Sequence, residues 1–217
     1  MASSSRTAGK IDSLMETASA ALAKGDYFAC ERESLKAMEL AHASTDWDRL
    51  ARICMPLEEA RRQKRLEAAD IGVAGTLDSV DELLEMDTIA PGCWLFEPLI
   101  VAAHAREFRS RADEQGVPTL VIVREPLTQL GDWPLAALGP VVVRTRVAPP
   151  KKLTPEWFLA AAEAMGEEAL ESVETDLEPE TRVNRLMERL LALRDHDELH
   201  QAVAEACRAA IRASAAA

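Results

Sequence analysis

The feature that most constrains this chain is a change of apolar period at Asp70. Before it, apolar and small residues recur at helical spacing, as in Leu14, Met15, Ala18, Ala21 and Leu22. After it come short runs bounded by Gly and Pro and rich in β-branched residues: IGVAG at 71–75, CWLFEPLI at 93–100, TLVIVRE at 119–125 and GPVVVRTRV at 139–147. These read as strands. AHAREFRSRADEQG (103–116) is helical in composition and lies between the second and third of them, so 93–125 reads as a strand, helix, strand unit with parallel strands. We therefore expect a helix-rich α+β or α/β fold. Residues 11–69 form an N-terminal helical segment, and 70–217 hold a small, mostly parallel central sheet with a βαβ unit and C-terminal helices packed on it. Residues 1–10, rich in Ser and Ala without an apolar period, read as a disordered leader.

The helices carry their own punctuation. Lys24-Gly25-Asp26 supplies a stop and then a capping aspartate for a helix over 27–42, and Asp46 caps a third that runs from Trp47 towards Ala69. Pro56 removes a backbone donor from this third helix, which predicts a kink or break at 54–56. A short helix over 78–86 has Thr76 or Asp78 as its expected cap. Thr154-Pro155 opens a helix in which Gly166 is a candidate break, and 180–193 and 195–211 supply two more.

The stretch GDYFACERESLKAMEL (25–40) resembles the turn and second helix of a tetratricopeptide repeat. Gly25-Asp26-Tyr27 matches the repeat's turn, Cys30 takes its small position, and Ala37-Met38 with Leu40 ends the unit; upstream, Ala18 stands where the repeat needs a small residue for its helices to approach. The sequence departs from the pattern at Leu14, where tryptophan is common, at Ser34, where a large apolar residue is usual, and in having no terminating proline. The resemblance covers about 30 residues, whereas a free-standing stack needs about three repeats or more. It implies one helical hairpin packed on another structure and a role in protein–protein interaction.

Charge and composition narrow the classes further. The formal net charge is −12, and residues 154–217 hold fourteen carboxylates against six arginines. Phosphate backbones and anionic membrane surfaces are repelled on average, which disfavours nucleic acid as a partner. No apolar run approaches the roughly 18 residues a membrane span needs. Cys30, Cys54, Cys93 and Cys207 are scattered without CxxC spacing, and MASSSRTAGK has no apolar signal core, so a reducing cytoplasm is the expected compartment. Four free, buried thiols are expected, and no cofactor.

Candidate chemistry is sparse. HDELH (196–200) places His196 and His200 at a zinc-compatible i, i+4 spacing, but Asp197 stands where a general-base glutamate belongs and no third ligand is spaced for the same metal. We read it as a helix start capped by Asp195, with two packed imidazoles. Glu97, His104, Arg124 and Glu125 fall near strand ends, where open parallel sheets bind ligands, and Arg144 and Arg146 share one strand face. Of these, Glu97, His104, Arg124, Arg144 and Arg146 form the candidate ligand set, although no glycine-rich phosphate loop accompanies them. Tyr27, with Arg61, Arg62 and Arg65 in the strongest basic cluster, forms the candidate partner-binding set. No nucleophile, base and orienter group is visible. The sequence thus favours a non-catalytic interaction or scaffold protein; the alternative is a small-ligand binder or enzyme using the sheet edge. Self-association stays open.

Overall fold

The structure, a computed structural model, describes residues 2–127 and 131–216. It is a helix-rich mixed fold in which the chain divides into two compact units: 1–63, 173–190 and 197–217 form the first, and 64–172 with 191–196 form the second. The division differs from the expected boundary near 70. The two C-terminal helices fall in the first unit, and the last turns of the third helix fall in the second.

The first unit is helical throughout. It contains α1 (Ala2–Leu22), α2 (Tyr27–Ala43), α3 (Trp47–Ile71) as far as Gln63, most of α7 (Pro179–Ala192), and α8 (Asp197–Ala216). α1 begins at Ala2, so residues 2–10 are helical and not a leader without regular structure. The stretch contains no proline, so the helix set up by the apolar period of 11–22 can extend back through it even though its serines, Thr7 and Gly9 are weak helix formers. Gly25, at φ +74°, turns the chain out of α1, and Asp26 caps α2 by accepting from Ala29 N at 3.0 Å. Ala18, Cys30 and Ala60 meet in a small-residue contact, with Tyr27 partly buried against it. α3 runs unbroken through Pro56, contrary to the expected break. Proline deprives the Arg52 carbonyl of its usual i+4 donor, yet the flanking turns keep the helix continuous. α8 continues through the alanine tail to Ala216.

The second unit is a three-layer arrangement. β1 (Val73–Leu77), β2 (Gly92–Phe96) and β3 (Thr119–Val123) form a parallel sheet in sequence order. The connections are α4 (Val80–Glu85), capped by Ser79 where Thr76 or Asp78 was expected, and α5 (Ala102–Glu114). β2 is buried along its whole length, as a central strand covered on both faces must be. Trp94 and Phe96 point into one layer with Phe108, Leu83 and Val121; Cys93 and Leu95 point into the other with Leu120, Ile122, Phe158 and Met165. A separate antiparallel pair, β4 (Trp133–Leu138) and β5 (Val142–Val147), adjoins β3 through a bridge between Arg124 and Leu135. β4 was not expected from the sequence, because Pro134 and two alanines dilute its strand signal.

α6 (Pro155–Glu171) starts as expected, with Thr154 accepting from Trp157 N at 3.3 Å. Gly166 does not divide it. A Cβ at that position would lie on the His196 ring, so glycine here makes room for an imidazole. Gly166→Ala is expected to lower stability by about 1–3 kcal/mol through overpacking, despite alanine's better helix propensity of about 1 kcal/mol. Urea unfolding checks this, and an unchanged or raised midpoint would contradict it.

Candidate functional site

Each sequence-derived candidate can be followed to its place. At the carboxyl end of the parallel sheet, Glu97 and Arg124 come together as an ion pair, and the Arg124 guanidinium lies 4.7 Å from the centroid of the Trp133 ring. Glu125 accepts from Arg144 Nε at 3.0 Å. His104 sits in the first turn of α5, where its Nδ1 accepts from Val101 N at 3.3 Å. Arg146 is exposed on the outer pair, opposite Pro134. Among the described residues the strand order β1-β2-β3 has no reversal, so the parallel sheet has no topological switch point there. Arg124 is already held by a carboxylate and an aromatic face. The Glu97–Arg124 and Glu125–Arg144 pairs tie strand ends together, while His104 closes its own helix start.

HDELH also resolves into structural roles. α8 begins at Asp197, one turn-defining step later than expected, so His196 precedes the helix and the i, i+4 face argument does not apply. In the second unit, His196 is buried with Nε2 3.2 Å from Glu163 Oε1, while Asp195 pairs with Arg109 at 2.6 Å in place of capping the helix. In the first unit, His200 is fully buried with Nε2 3.1 Å from Arg61 Nη1. Among the described residues no group of three or more His, Cys, Asp or Glu is arranged to hold a metal ion.

Arg61 is the largest change from the expected partner-binding set. Its side chain is only 2% exposed, and its Nε donates to Glu31 Oε1 at 2.7 Å. A guanidinium only donates, so His200 Nε2 is the acceptor and the imidazole carries its proton on Nδ1. Arg61 thereby ties α3 to α2 and α8. Arg62 pairs with Asp197, Glu58 and Glu59 at 2.8–3.0 Å, and these carboxylates, Asp197 foremost, hold it more firmly protonated than an ordinary arginine. Arg65 belongs to the second unit, where it lines a small depression with Leu159 and Glu163. Tyr27 is half-buried at the α1–α2 contact.

The sequence reading missed a large groove of the helical unit. It is a groove of about 1110 Å³ between α1, α3 and α8. Its apolar lining comes from Met15, Leu22, Ala51, Met55, Pro56 and Ala204. Met55 is 73% exposed, an unusual position for a methionine and a feature shared with surfaces that bind varied partners. Around it stand Arg52, Arg208 and Arg212. α1 is held against the start of α3 by Arg49, which bonds Asp12 and Asp46 at 2.7 Å each; hydrogen bonding to Arg49 also holds the Asp12 carboxyl below its usual range. On the other wall, Gln201 donates to Glu58 at 2.9 Å, joining α8 to α3.

The four cysteines are free and buried, as expected. Burial pushes the Cys54 and Cys207 thiols up to about 12 and Cys93 to about 11, so all three stay protonated and unreactive near neutrality. No helix among the described residues is long and apolar enough to cross a membrane. No protein-family model, curated protein or solved structure matches the chain.

Arg61→Met leaves Glu31 buried without its cation and is expected to cost about 3–5 kcal/mol, whereas the double variant Glu31→Leu/Arg61→Leu loses less than the sum of its single changes; additive losses in a denaturant-based double-mutant cycle would contradict the pairing. Above about pH 8 the thiols of the unfolded chain begin to ionise while Cys54 and Cys207 stay protonated in the fold, so the unfolded state gains. Stability is therefore complete only below about pH 8 and falls up to about pH 12, by about 1.5–2 kcal/mol per thiol at pH 10. Unfolding curves of wild type and Cys54→Ala/Cys207→Ala check this, and equal pH slopes would contradict it.

Proposed function

We propose that this protein is a non-catalytic interaction module whose helical unit receives a segment of a partner protein in the groove between α1, α3 and α8. The observation that carries the reading is Met55: a 73% exposed methionine in a groove of about 1110 Å³ built from three helices. Concave helical surfaces with a flexible apolar floor bind extended or helical segments by burying a few anchoring side chains. Reading α1 and α2 as one tetratricopeptide-like hairpin agrees with this role. The network of Arg61, Glu31 and His200 supports it by fixing the groove's walls with groups that are themselves out of solvent.

The sheet edge supports a ligand-binding or catalytic reading less well. Glu97 and Arg124 neutralise each other, and His104 accepts a backbone N–H of its own helix start. Its one distinctive feature is Leu99, which is 79% exposed at φ +102°. Backbone strain in a non-glycine residue costs about 1–3 kcal/mol and is found at functional sites as well as at tight turns.

A photo-crosslinking residue placed at position 55 is expected to capture a specific partner in cells, and the same residue at position 99 is not. With the crosslinking residue moved to position 205 on the facing wall of the groove, Met55→Asp should abolish capture while leaving the thermal unfolding midpoint within about 2 °C, because the Met55 side chain is exposed. Capture at 99 alone would move the binding site to the sheet edge.

A further inference from the structure

The charge pattern of the groove specifies what class of segment it takes. Arg62, Glu58 and Glu59 neutralise one another in its wall, and Gln201 also donates to Glu58. Arg208 and Arg212 are exposed, and neither forms an ion pair among the described residues. They stand one turn apart on α8, so their guanidinium groups lie on the same side of the helix. Across the groove, the ion pair Arg52 forms among the described residues is with Asp48, at 3.7 Å with both side chains more than 60% exposed, a contact that contributes little, and its charge also acts at longer range on Asp12. The only opposing charge in the lining without an ion pair among the described residues is Glu205. A protein with a net charge of −12 therefore presents a groove whose uncommitted charge is positive.

Because Pro56 has no N–H, the Arg52 carbonyl lacks its normal helical donor, and both residues line the groove beside Met55. The site thus offers an apolar contact flanked by three cations.

We infer that the groove's partner is an acidic peptide segment, with at least one large apolar side chain seated on Met55 and carboxylates paired to Arg208 and Arg212 across from Arg52. This inference rests on the interaction-module reading and adds the chemistry of the partner to it. Guanidinium groups favour carboxylates through two-point hydrogen bonding, and such pairs supply orientation and association rate as well as affinity.

The test uses the full chain and a displayed library of random 16-residue peptides. Selection is expected to enrich sequences carrying Asp or Glu around a Leu, Met or Phe. The best peptide, synthesised and measured by fluorescence anisotropy, should lose at least about tenfold in affinity for Arg208→Glu/Arg212→Glu, and should weaken as salt rises from 50 to about 500 mM. A charge-reversed peptide in which Lys replaces Asp and Glu should bind the double variant better than the wild type. Because both arginines are exposed, the variant's circular dichroism and unfolding midpoint should match wild type, which separates lost binding from lost folding. Neutral or basic peptides selected at position 55, with affinity indifferent to the double variant, would overturn the acidic preference and leave the module reading standing. Failure to select any peptide sensitive to Met55→Asp would overturn both. Two further outcomes would also overturn the inference: a concentration-dependent dimer abolished by Met55→Asp, which makes the occupant a second copy, and displacement of the acidic peptide by a lower concentration of a single-stranded oligonucleotide.

Discussion

A buried guanidinium organises the helical unit. Arg61 is almost wholly excluded from solvent, and a charge in that position is tolerable only if its partners are held in place. Glu31 from α2 and His200 from α8 are those partners, at 2.7 and 3.1 Å. The same helix turn places Arg62 outside, where Asp197 and two glutamates take it. The neighbouring helices α2 and α3 and the distant α8 are thereby set in register around one short stretch of α3. The stripe of α8 that follows His200 then lines a groove with Met55 and Pro56, so the packing of a charged core and the shape of the groove have one origin.

Much of the fold was legible because it depends on local rules. Asp26 and Thr154 act as caps, as their positions before apolar-periodic runs predict. The three parallel strands follow from apolar runs, and β2 shows why such runs need not alternate: both of its faces are covered. What was not legible depends on distant neighbours. Gly166 looks like a helix breaker until His196 is found against it. Pro134 hides β4, and Pro56 suggests a break that the rest of α3 overrides.

The candidate site was the least legible part for the same reason. Arg61, Arg62 and Arg65 look alike in sequence as a basic cluster, yet helical geometry sends them to different environments: a buried ion pair, a half-exposed network and the other unit. Arg208 and Arg212 stand out from nothing in the sequence, since their meaning comes from Arg52 and Met55 about 150 positions earlier. His200 was correctly expected to pack, but its role as acceptor for Arg61 required the tertiary contact. The resemblance to a tetratricopeptide hairpin pointed towards a surface for protein segments, while the groove itself draws on α8, which lies outside that resemblance.

Amide hydrogen exchange on the full chain, with and without a saturating acidic peptide, tests the account most directly. The account predicts added protection at residues 12–22, 48–62 and 200–212, which line or support the groove, and no change at 97–104 or 123–125. Protection confined to the sheet edge would contradict it.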